Sequence, residues 1–108
     1  MDIPPQLLDE IIEEAKADEV GLWFIICGVR DDLGVKQPAL VQAITLQVVN
    51  QILTAVAVVA GYYKPHGAGM DVLNMEPERV VSRIEEEWNQ LGREPSIGES
   101  VVFVGKSL

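Results

Sequence analysis

The sequence predicts an α+β fold: a winged-helix-like helical core, a small antiparallel β-sheet and one additional helix. Three observations carry this expectation. Residues 4–55 hold three successive stretches with apolar side chains at helical spacing. From about Ala55 the chain turns β-branched and aromatic around a glycine-rich turn. A fourth helical pattern then ends at Gly92 and precedes a short apolar run, Ser100 to Val104. Helix, helix, helix and hairpin is the order of a winged-helix domain, in which the third helix meets DNA and the hairpin is the wing. Many small α+β domains share that order, so it names an arrangement and no function.

Each element has a local reason. Pro4-Pro5 opens a helix running to about Ala17, with Leu7, Leu8, Ile11, Ile12 and Ala15 on one side and Asp9, Glu10, Glu13, Glu14 and Lys16 on the other. Asp18-Glu19 caps or precedes a second helix, about Val20 to Leu33, whose stripe is Leu22, Ile25, Ile26, Val29 and Leu33. Trp23 and Cys27 flank that stripe, so most of this helix is expected to be buried. Gly34 is placed to end it in the left-handed conformation. Lys36-Gln37-Pro38 restarts a helix with proline in its first turn. Val41, Ile44, Val48, Ile52 and Ala55 share its apolar side, flanked by Val49 and Val56, and a break near Ala43 to Leu46 is open at this level. Val56 to Tyr63 reads as a strand, residues 64–69 as a turn, and Met70 to Leu73 as a short return strand. Pro77 and Glu78 start the last helix, whose apolar face is Val80, Val81, Ile84, Trp88 and Leu91.

The totals fit one domain over residues 1–108, without repeats or linkers. Seventeen acids face eight bases, the formal net charge is −9 and the pI is near 4.4. Such a field repels nucleic-acid phosphate and attracts basic partners. The single cysteine, Cys27, excludes an internal disulfide and fits a reducing cytoplasm. The acidic start, Met1 to Pro5, lacks the pattern of a signal peptide. No apolar run approaches the ~20 residues that a membrane span requires.

The most informative feature is a gap. Gln37 to Tyr63 is 27 consecutive residues without a charge. A DNA-reading third helix brings several arginines or lysines to phosphates and base edges, and this one brings none. Gln47, Asn50, Gln51 and Thr54 share a narrow arc that is polar but uncharged. A solvated helix face normally carries Lys or Glu, whereas interface centres are depleted in charge. These four residues are therefore the candidate protein-binding site. Contact with a second copy and burial under the first helix are both open.

Two stretches, Leu46 to Tyr62 and Asn74 to Phe103, resemble a group of short, acidic, uncharacterised bacterial proteins. The second carries Glu87-Trp88, Leu91-Gly92-Arg93-Glu94-Pro95, Ile97-Gly98-Glu99 and Val101-Val102-Phe103. In that group a helix with a buried tryptophan leads into a Leu-Gly-Arg-x-Pro-x-Ile-Gly-Glu turn and a final strand. The resemblance implies a winged-helix-like arrangement and a bacterial cytoplasmic origin, and it implies no activity. The charge-free third helix departs from the group, where that segment tends to be charged.

The catalytic inventory is thin. His66, the only histidine, lies in a Pro-His-Gly turn, away from the helix that holds Cys27. One cysteine and one histidine cannot make a structural zinc site. Gly67 and Gly69 lack the third glycine and the helix start of a phosphate cradle, so no cofactor is expected. Arg79, Arg83 and Arg93 are placed to pair with Glu78, Glu86 and Glu87. The sequence thus points to a non-enzymatic protein-binding module, an immunity- or antitoxin-like partner of a basic protein, and to a homodimer. The alternative is a DNA-binding transcription regulator of the winged-helix type.

Overall fold

A computed structural model describes residues 3–55, 58–63, 70–96 and 100–105. The elements are α1 (Pro5–Ala17), β1 (Glu19–Gly21), α2 (Leu22–Asp32), α3 (Pro38–Thr54), β2 (Val58–Tyr63), β3 (Met70–Val72), α4 (Pro77–Leu91) and β4 (Val102–Gly105). The fold is α+β, with helices packed on a small, wholly antiparallel four-stranded sheet in the order β1-β4-β2-β3.

The helix boundaries follow local chemistry. Prolines occupy the first turns of α1, α3 and α4, where the missing N–H costs nothing. Gly34 and Gly92 adopt φ of 67° and 68° just past α2 and α4, a left-handed conformation that side chains resist. Helix α3 is continuous through Ala43 to Leu46, so the possible break there is absent. Buried Thr45 lies within that span, and its hydroxyl has no hydrogen-bond partner among the described residues.

The start of the second helix differs from the sequence reading. The second helix starts at Leu22, and Asp18 and Glu19 do not cap it; the residue before its first turn is Gly21, in extended conformation. Glu19 to Gly21 form β1 instead, paired to β4 through Glu19–Val104, Val20–Phe103 and Gly21–Val102. A three-residue strand is too short to show a period of two, and its partner is remote in sequence.

Strand β4 is the centre of the sheet. It pairs with β1 on one side and with β2 on the other, where Val58 faces Gly105, Val59 faces Val104, Ala60 faces Phe103 and Gly61 faces Val102. The return strand β3 therefore lies on the outer edge, along β2 only. Phe103 is fully buried between Val20 and Ala60, which are themselves buried. Helix α1 lies across β1, β4 and β2, and also meets α2 and α3. Helix α3 meets α1, α2, α4 and β2, which explains why it buries Val41, Ile44, Leu46, Val48, Val49 and Ile52.

Helix α4 packs on α3 through Val80, Ile84 and Trp88. The amide of Gln42 donates to Asn89 Oδ1 at 3.0 Å along the same seam. Leu91, expected on that face, remains 37% exposed beyond the end of the contact. Trp88 is 6% exposed, and its truncation removes the largest side chain of the α3–α4 seam. Trp88→Ala should cost about 3–5 kcal/mol in chemical unfolding. A loss below ~1 kcal/mol would show that the seam does not depend on the indole.

Candidate functional site

The uncharged arc of α3 lies on its outer side. Asn50 and Thr54 are exposed, and Gln47 and Gln51 are half-buried. The four residues do share one face, and α1 does not bury it. The same face carries exposed Ala39, Leu40 and Ala43, with Leu40 at 44% exposure. It is thus a helix face with apolar, small and amide side chains and no charge over its length. At its C-terminal end, Asn50, Leu53 and Thr54 border an open hollow of about 560 Å³ whose other wall is Glu76, Pro77 and Glu78 at the start of α4.

A second feature lies between α1 and α2. Two adjoining hollows of about 200 and 260 Å³ share Leu7, Glu10 and Asp32, and together form one groove. Its floor is Leu7, Ile11, Cys27 and Gly28, and Phe24 stands at its side, 37% exposed. Phe24 makes an edge-to-face contact with Trp23, with centroids 6.2 Å apart and planes at 84°. A β-carbon at Gly28 would meet Leu7 Cδ1 at 3.3 Å, so glycine lets α1 and α2 approach here. Carboxylates rim both sides: Glu10 from α1, Asp31 and Asp32 from α2. No base lines the groove, and Arg30 of α2 reaches Glu94 at 3.2 Å.

A third cluster joins the sheet to α4. The Tyr62 hydroxyl of β2 donates to the Glu87 carboxylate, at 2.7 Å from both oxygens, while the Arg83 guanidinium lies 5.1 Å from the Tyr62 ring centroid. Arg83 and Glu87 are one helical turn apart, so both reach the same ring. The sequence reading set Arg83 to pair with glutamates of its own helix, Glu87 among them; Glu87 is half-buried and accepts from Tyr62. Arg93 donates Nη1 to the carbonyl of Glu94 at 3.1 Å.

No group of three or more His, Cys, Asp or Glu able to hold a metal occurs among the described residues. His66 and the turn with Gly67 and Gly69 lie outside the described residues, as do Val56 and Ile97 to Glu99 of the C-terminal motif. No helix among the described residues is long and apolar enough to cross a membrane. No protein-family model, curated protein or solved structure matches the chain.

Sequence reasoning missed the groove and the tyrosine cluster. The groove had a partial signal, since Phe24 lies off the apolar stripe of α2. The tyrosine cluster had none, because nothing local aims Tyr62 at α4.

Burial pushes the Tyr62 hydroxyl from 10.0 up to about 12; the hydrogen bond to Glu87 and its negative charge add to this, and Arg83 opposes it. The folded state thus holds the phenol proton more tightly than the unfolded chain does. Its contribution to stability is complete below about pH 10 and is lost as pH rises through about 12. The stability gap between the wild type and Tyr62→Phe, measured by urea unfolding, should shrink across that window. A gap independent of pH would refute the assignment. In a Tyr63→Phe background, the one remaining tyrosine should form tyrosinate near pH 12 by ultraviolet absorbance.

Proposed function

We propose that the chain is a non-enzymatic protein-binding module of the bacterial cytoplasm that engages a basic protein, as an immunity or antitoxin protein does. One observation carries this reading: the exposed side of α1 and its flanks. Asp9, Glu10, Glu13, Glu14, Asp18 and Glu19 face solvent there, and the only base among them, Lys16, is paired with Glu13 at 3.7 Å. An unneutralised face of this kind steers a positive surface and repels phosphate. The lone cysteine and the acidic composition support the cytoplasmic setting.

The outer face of α3 supports a homodimer in which each helix meets its copy about a two-fold axis. An exposed helix without charge, bearing Leu40, Ala43 and Asn50, is costly to leave in water and inexpensive to cover. The winged-helix order favours the second reading, a DNA-binding regulator, but α3 offers no cation to release counterions.

The basic-partner reading is tested by affinity capture with the full chain at low salt and reconstitution from purified components. A partner with pI above ~9, whose affinity falls at least about tenfold between ~0.05 and ~0.3 M salt, is expected. An acidic partner, or affinity indifferent to salt, would sink it. At ~0.15 M salt the chain should give no gel shift with duplex DNA at micromolar concentration, and a salt-dependent shift there would favour the regulator.

The dimer reading has its own measurement. Light scattering at ~100 µM should give twice the chain mass, and Ala43→Glu with Asn50→Glu should halve it while the melting transition is retained. A wild-type monomer at that concentration removes the homodimer.

A further inference from the structure

We infer that the groove between α1 and α2 is the docking site for that basic partner, and that it receives a segment bearing one apolar anchor flanked by lysines or arginines. The inference rests on the basic-partner reading and adds the site and the chemistry of the segment.

Three observations converge on it. The hollow of about 200 Å³ over Leu7, Ile11 and Gly28 has room for one large apolar side chain, since a cavity of ~150 Å³ accommodates a benzene ring. Phe24 stands beside it with its ring held by Trp23, a rigid aromatic surface of the kind that anchors interfaces. The rim is acidic on both sides, so the segment that fits carries positive charge on both sides of its anchor.

The placement of Asp31 and Asp32 strengthens the case. They occupy the last turn of α2, where the helix dipole disfavours negative charge. Neither has a hydrogen-bond or ion-pair partner among the described residues. Two carboxylates that oppose their own helix and bind nothing in the fold are suited to a ligand. The acidic rim also disfavours a phosphate backbone, an anionic membrane or another acidic rim in the same groove.

The test uses the full chain and a fluorescent helical peptide of leucine and lysine, about 14 residues long to match α1. Cys27 lines the groove and is the only cysteine, so its alkylation rate reports occupancy directly. The expected result is binding with protection of Cys27. Phe24→Ala, and separately Asp31→Asn with Asp32→Asn, should each weaken binding about tenfold or more, which is about 1.4 kcal/mol. The double aspartate variant should also melt at a higher temperature, which a merely structural role would not produce. A control set, Glu78→Gln, Glu85→Gln and Glu86→Gln, should change affinity less than about twofold. A lysine–glycine peptide of equal charge should bind about tenfold more weakly.

Binding that leaves Cys27 unprotected and is weakened equally by the control set would overturn the groove and leave the basic-partner reading standing. No binding of either peptide would overturn both. Equal affinity for the two peptides would remove the apolar anchor. If Phe24→Ala altered only self-association, the groove would belong to a second copy and the inference would fail.

Discussion

Strand β4 holds the molecule together. It is the only strand that touches both β1 and β2, and it places Phe103 at zero exposure between Val20 and Ala60. Without it, β1 would have no strand partner in the sheet and α1 would lose part of the surface it lies on. The strand comes from the far end of the described chain, so closing the sheet requires the longest loop the fold contains. Such non-local pairing is entropically expensive until the buried contacts form, which ties the sheet to the helical core as one cooperative unit.

Around that strand, α3 acts as the hub of the helices. It meets α1, α2, α4 and β2 on its buried sides, which leaves one outer face. That face carries no charge, although charge there would cost the fold nothing. The contrast with α1 is instructive. Both helices offer a single side to solvent, but α1 carries acids on its side while α3 carries leucine, alanine and amides. The two faces therefore differ in chemistry, one acidic and one uncharged.

Two polar links join α4 to its neighbours. Tyr62, Arg83 and Glu87 form a clasp in which one helical turn of α4 reaches a ring on β2, and Gln42 to Asn89 bridges α3 and α4. Burial of the phenol, with the hydrogen bond to Glu87 and its negative charge, is why the hydroxyl holds its proton to about 12. Val80, Ile84 and Trp88 bury the inner face of α4 against the core, and the clasp adds a polar link from α4 to β2.

The sequence alone determined what short-range patterns can carry. Helical spacing placed Leu7, Ile11 and Ala15, and later Val80, Ile84 and Trp88, on buried faces, because a period of 3.6 is legible within a few turns. Prolines and glycines marked the helix ends through their own backbone limits. The charge gap over α3 was visible by inspection, and so was the arc of Gln47, Asn50, Gln51 and Thr54, since four residues on one helix share a face wherever the helix lies. Only the tertiary structure decided the rest. It alone made a strand of Glu19 to Gly21, because three residues become a strand only when a partner supplies hydrogen bonds. It moved β3 to the sheet edge and β4 to the centre, since strand order depends on contacts between distant segments. It formed the acidic groove by bringing Glu10 of α1 beside Asp31 and Asp32 of α2, and it turned Arg83 and Glu87 onto Tyr62. Each of these joins side chains from separate elements, and no local pattern encodes the angle at which two elements meet.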